Sequence, residues 1–185
     1  MSDDADRSGE LIHFESTRFG PLSVTSDRII TFPTGLIGFP RPNKFILIDH
    51  KPPFSWLHGV DEPSIAFVVI DGFEVGYQYD LALPFSQPEC DFKETDEFAI
   101  LVVVTVRGDP SATTVNLKAP LFVNIRNLRG AQIIFDSPEL STRVPLYDIP
   151  SFSPNPEKLQ PKDPSSETKP DADKLDVDNA ESQKS

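Results

Sequence analysis

Nine consecutive residues without a charge, Phe98-Ala99-Ile100-Leu101-Val102-Val103-Val104-Thr105-Val106, constrain this chain more than any other feature. The run is far short of the ~20 residues that a helix needs to cross a membrane. Six of its nine side chains are β-branched. Such side chains lose rotamer freedom in a helix and pack well on a pleated sheet. The segment therefore reads as a central strand buried on both faces. Left at an open edge it would template aggregation, so the rest of the chain must pair and cover it.

The other apolar clusters fit that demand. They are short, β-branched or aromatic, and bounded by Gly, Pro or Asp, which is strand punctuation. Leu11–Phe14 and Leu22–Val24 flank Phe19-Gly20-Pro21, an opening hairpin. Arg28–Phe32 is stopped by Pro33, and Lys44–Ile48 and Phe54–Leu57 are joined through Pro52-Pro53. Ile65–Ile70 is a nearly continuous apolar run. Tyr77, Tyr79, Leu81 and Leu83 alternate and would share one face of a strand. Thr113–Leu117, Leu121–Ile125 and Ala131–Phe135 follow as a meander, with turns at 107–110, 118–120 and 127–130. No window gives an amphipathic helix of three turns; 87–97 has room for one turn, with Pro88 early in it. The expected fold is all-β: a compact, closed or partly closed β-barrel-like domain of about ten short, mostly antiparallel strands.

Hydrophobic residues make up 38% of the 185, below the ~45–50% of an average globular chain, so part of the chain is not packed. Residues 1–10 carry four acids and one base. Residues 151–185 carry eight acids, five lysines and five prolines, with Phe152 the only aromatic. These ends cannot bury enough apolar surface to offset chain entropy. The organisation expected is a flexible acidic segment at 1–10, a barrel domain at 11–148 and a disordered tail at 149–185. A net charge of −12 disfavours nucleic acid and anionic membranes and favours a basic protein partner. A single cysteine excludes an intrachain disulfide, and the polar Met1–Glu10 is no signal peptide. A cytoplasmic location is expected.

Chemistry-bearing groups are sparse. Cys90 lies between Glu89 and Asp91, whose charge raises a thiol pKa, the wrong direction for a nucleophile. It reads as a surface or semi-buried residue. His13, His50 and His58 form no ligand-spaced pair. His50 and His58 could face each other across neighbouring strands, yet read as exposed strand-end histidines, and no metal site is expected. Gly35-Leu36-Ile37-Gly38 lacks the Lys and Ser/Thr of a phosphate loop and reads as a turn using positive φ. Asp61-Glu62 and Asp96-Glu97 would point to opposite faces of a strand and make no acid/base dyad. No catalytic residue, cofactor or enzymatic activity is expected. Two acidic stretches offer a docking surface: Glu89, Asp91, Glu94, Asp96 and Glu97, and Asp71, Glu74 and Asp80 interleaved with Phe73, Tyr77 and Tyr79. Both also read as solvated loops. Arg126 and Arg129 form a basic spot too small to bind nucleic acid.

Four segments carry a resemblance. The first runs from Thr17-Arg18-Phe19-Gly20-Pro21-Leu22 into Phe32-Pro33-Thr34-Gly35-Leu36-Ile37-Gly38-Phe39, and the second is Pro63-Ser64-Ile65-Ala66-Phe67-Val68-Val69. The third is Asn116-Leu117-Lys118-Ala119-Pro120-Leu121-Phe122-Val123-Asn124, and the fourth is Arg143-Val144-Pro145-Leu146. In this order they resemble the FliW family of flagellar assembly factors. His58-Gly59 and Leu140 depart from the family's usual residues.

The resemblance implies a barrel-like, non-enzymatic protein that binds flagellin in the cytoplasm. It also implies that the protein binds and antagonises the translational regulator CsrA, coupling flagellin synthesis to export. The protein-binding residues expected on this basis are Asn116, Leu117, Ala119, Pro120, Phe122 and Asn124, together with Asp91, Glu94, Asp96 and Glu97. The first six read equally as an ordinary turn, stiffened by Pro120 and with Asn side chains satisfying backbone groups. A reading of another class is a split-barrel flavin or small-ligand protein, with a ligand held in the barrel mouth.

Overall fold

Eleven strands, none longer than eight residues, carry the fold of residues 9–153, the part of the chain that the computed structural model describes. The segments 1–8 and 154–185, expected to be flexible, lie outside the described residues. Strands β1 (Leu11–Ser16) and β2 (Gly20–Thr25) form a hairpin of their own. The others are β3 (Ile30–Thr31), β4 (Lys44–Asp49), β5 (Ser55–Gly59), β6 (Ala66–Asp71), β7 (Phe98–Thr105), β8 (Thr114–Val115), β9 (Leu121–Asn124), β10 (Arg129–Gln132) and β11 (Val144–Pro145). A further pairing of β7 with β9 closes β7-β6-β5-β4-β3-β10-β9 into a seven-stranded barrel. Every pairing is antiparallel except that of β3 with β10.

The charge-free run is the centre of this arrangement. β7 meets three neighbours: Leu101–Val104 pair with β6, Phe98–Leu101 with β9, and Val104–Thr105 with β8. Its side chains alternate between two cores, as the pleat requires. Ala99, Leu101 and Val103 pack inside the barrel with Phe32, Phe45, Leu57, Phe67, Val69, Leu121 and Val123. Phe32 and Phe45 meet edge to face there, their centroids 5.5 Å apart. Ile100, Val102 and Val104 pack on the outer face with Val68, Ile70 and Phe122, beneath a cover that includes Val75, Tyr79, Cys90, Phe135 and Leu146. Both faces are buried, as the sequence demands. Each fully buried side chain of this kind contributes roughly 1.5–3 kcal/mol.

Several elements differ from expectation: β10 runs Arg129–Gln132, starting inside the turn expected at 127–130, and 133–135 are not strand. The segment 77–83 is not a strand; irregular chain leads into a four-residue helix, α1 (Ala82–Phe85). Tyr79 is the cause. Its hydroxyl donates to the Leu117 carbonyl at 3.0 Å, and its ring packs on Phe122 and Phe135. That anchor makes the segment a cover over the outer core, so Tyr79 is buried while Leu81 is exposed. The ordered chain also continues past 148: Ile149 is buried and Phe152 packs on the same core. Finally, Val144–Pro145, expected only as a closing motif, pairs with β8 as a short strand. The turn at 35–38 is as expected. Gly35 and Gly38 have φ of +72° and +81°, and Leu36 and Phe39 exchange backbone hydrogen bonds of 2.9 and 2.7 Å.

Candidate docking surface

The acidic stretch 89–97 leaves the outer core through a short 3-10 turn (Pro88–Cys90) and loops back to start β7. It is tied to the β9–β10 turn by an asparagine and an arginine. Asn124, fully buried at the end of β9, donates through Nδ2 to Asp96 Oδ2 at 2.9 Å and to the carbonyls of Cys90 and Asp91. Its Oδ1 accepts the Arg126 backbone N–H at 3.0 Å. The Arg126 side chain then grips two acids, through Nε to Asp96 Oδ1 at 2.8 Å and through Nη2 to Asp91 Oδ2 at 3.0 Å. These contacts hold the Asp96 carboxyl down at about 2: the Arg126 bond is the largest cause, with the Lys93 N–H and Asn124 adding to it. The Asp96 side chain is only 5% exposed, against 64% for Asp91.

The expected site residues therefore separate. Asp91 is exposed but paired, and Asp96 is an internal strut instead of a surface charge. Glu94 and Glu97 are exposed and form no ion pair among the described residues. Of the six residues expected along 116–124, Leu117, Ala119, Pro120, Phe122 and Asn124 are buried and Asn116 is half-buried. Asn116 accepts the Ala119 N–H at 3.1 Å through Oδ1, closing the turn. The five buried side chains support the surface from beneath, and the half-buried Asn116 is part of it. Arg126 and Arg129 do not make a free basic spot; Arg126 serves Asp91 and Asp96, and Arg129 Nε donates to the Glu89 carbonyl.

Sequence reasoning kept the two acidic stretches apart, and the fold joins them. The Gly72 N–H donates to the Ile100 carbonyl at 2.7 Å, which lays 71–76 beside β7. Phe73 then contacts Phe98, the residue after Glu97, at 6.2 Å between centroids. Phe73 is 62% exposed, a large apolar ring between the exposed Asp71 and Glu74 in sequence, and Glu97 is exposed as well. The interleaving of acids with aromatics in 71–80 was the available signal; the pairing that brings it to 94–97 is long-range.

The remaining candidates are structural. Cys90 is fully buried, and its thiol is pushed up to about 11, first by burial and then by Glu89. The direction is the one read from the sequence, but the main cause is packing. His58 is not an exposed strand-end residue and does not face His50. It is fully buried opposite Ile46, while His50 lies against Trp56. Ser16 Oγ accepts the N–H groups of Arg18 and Phe19, so its own proton goes to His58 Nε2 at 2.8 Å. Nδ1 donates to the Gly59 carbonyl at 2.7 Å. This needs a neutral ring, and burial, aided by the Arg18 charge, holds the His58 pKa below its ordinary value. Through this contact, with Phe14 and Phe19 against the same ring, the β1–β2 hairpin is clasped to β5. Among the described residues no group of three His, Cys, Asp or Glu is placed to hold a metal, and no helix is long and apolar enough to cross a membrane.

Comparison with known proteins agrees with this architecture. The family model described as "FliW protein" matches residues 13–146. The flagellar assembly factor FliW of Geobacter sulfurreducens is 35% identical over 147 residues, covering 77% of this chain and 91% of that protein. That of Natranaerobius thermophilus is 37% identical over 138 residues, covering 72% and 91%. A crystal structure of the flagellar assembly factor FliW superposes with a TM-score of 0.65 at 26% identity, covering 72% of this chain and 96% of that one. The four motifs, the closed barrel and these matches place the chain in the FliW family of flagellar assembly factors.

Proposed function

We propose that this chain acts in the cytoplasm by binding flagellin and by binding and antagonising the translational regulator CsrA, so that flagellin export controls flagellin synthesis. Membership of the FliW family carries the reading. The exposed Phe73 ring and the exposed acids Asp71, Glu74, Glu94 and Glu97 support it. A regulator that binds RNA is basic, and acids set the encounter rate and register with such a partner while an exposed ring supplies buried area. The buried residues 117, 119, 120, 122 and 124 act in this reading by holding the 89–97 loop and the 116–120 turn in shape. Titration calorimetry with purified CsrA and with purified flagellin tests it; a saturable heat is expected with each, and no complex with either ends the proposal.

A further inference from the structure

A cavity of about 330 Å³ lies on the outer face of the sheet. Its floor follows from register. Trp56 pairs with Val68 and Val68 with Val104, so their side chains share one face. The β4–β5 turn adds Phe54 and His50, whose ring meets Trp56 edge to face at 6.1 Å between centroids. Tyr147 adds a further ring from the 3-10 turn that follows β11. Thr113 precedes β8 in extended backbone (φ −70°, ψ 131°), so its side chain lies on the face of Val115, toward the outer core. Thr113 is 5% exposed, yet its hydroxyl makes no hydrogen bond among the described residues. No described side-chain oxygen is both sealed from solvent and unpartnered. The hydroxyl therefore opens on space, and the space that Thr113 lines is this cavity. Arg107 also lines it, is exposed, and forms no ion pair among the described residues. His50 is shared with a neighbouring hollow that holds Asp49 and Glu74, so Arg107 is the cation that serves this cavity. No acid lines it, in a chain of net charge −12.

We propose that this cavity binds a small aromatic carboxylate, its ring against Trp56, Phe54 and Val68 and its carboxylate turned to Arg107 and the Thr113 hydroxyl. Small-molecule sites are concave and mostly apolar, with a few polar groups that fix orientation. The aromatic walls favour an aromatic body, since rings gain from edge-to-face contact beyond the area they bury. The polar groups favour a carboxylate. An arginine fork matches its two oxygens, and a buried hydroxyl gains the acceptor that the fold does not give it. A cationic ligand meets no acid in the lining. Phe73 and the exposed acids of the docking surface do not line the cavity, so the proposal stands apart from the function proposed above.

The test uses the full chain. Trp56 is its single tryptophan, so the one indole N–H signal in a nitrogen-labelled NMR spectrum reports on the cavity. Hydrocinnamate is titrated against hydrocinnamyl alcohol, which has the same ring and chain without the charge. A saturable shift of the indole signal is expected with the acid, and binding about tenfold weaker with the alcohol. Arg107→Gln changes an exposed side chain outside any ion pair among the described residues, so the fold should persist. It should bring the acid down to the affinity of the alcohol and leave the alcohol unchanged. Thr113→Val should weaken the acid more than the alcohol. Four results overturn the proposal: no saturable shift at millimolar acid, equal affinity for acid and alcohol, an acid affinity that Arg107→Gln leaves intact, or an indole signal that moves with protein concentration alone. The last would mean that a second copy fills the cavity.

Discussion

Asn124 and Arg126 decide how the acidic loop is held, and single substitutions there have predictable consequences. Asn124→Ala leaves the Arg126 N–H without its acceptor, while the Cys90 carbonyl keeps Asn127 and Asp96 keeps Arg126 and the Lys93 N–H. The expected loss is about 1–3 kcal/mol per unsatisfied group at most, read as a lower urea midpoint with an unchanged slope. Asp96 titrates in the folded chain at about 2, below the ~3.9 of an unfolded aspartate. Its contribution to stability is therefore full above roughly pH 4 and is lost as pH falls toward 2. Carboxyl NMR should show the low midpoint, and Arg126→Ala should return it toward the ordinary range. His58 has the opposite chemistry but the same direction. Its folded pKa is lowered, so the unfolded chain binds the extra proton first, and stability falls as pH drops below about 6.5. His58→Gln should flatten that slope in acid unfolding curves, whereas an unchanged slope would place the acid sensitivity elsewhere.

At the scale of elements, the strands were legible and their covers were not. β7 could be read from its own residues because a charge-free, β-branched run has one comfortable environment. The hairpin, β4, β6 and β9 followed from turn residues at their ends. Tyr77–Leu83 misled because alternation fits a strand as well as a coil pinned by one buried tyrosine. What settles it is the bond from Tyr79 to Leu117, 38 positions away. The Asp96–Arg126 pairing is long-range too, so both residues looked like surface charge. The six residues at 116–124 were singled out from a motif, and a motif can mark internal struts as readily as contacts. Phe122, which sits under Tyr79, Phe98 and Phe135, shows the difference. Phe122→Ala should cost about 3–5 kcal/mol, seen as a large drop in thermal midpoint, before any effect on a partner could be read.

For the whole molecule, charge and boundaries matter most. Glu94→Lys with Glu97→Lys changes two acids that form no ion pair among the described residues, so folding should be untouched. Affinity for a basic partner should fall, more steeply at low salt than at high salt. An affinity that stays constant across salt concentrations would remove this face from the docking surface. A chain ending at Asp148 should be less stable than one ending at Ser153 by roughly 2–4 kcal/mol, since Ile149 and Phe152 leave the outer core; equal denaturation midpoints would contradict that boundary. Closure of the barrel itself depends on a single forked strand, β7, which serves β9 with its first half and β8 with its last two residues. Such a fork works as a ruler. Sliding β7 by two positions would keep every side chain on its proper face, yet it would misalign both branches at once. The register of β7 is thus pinned at two places along one edge, by β9 and by β8.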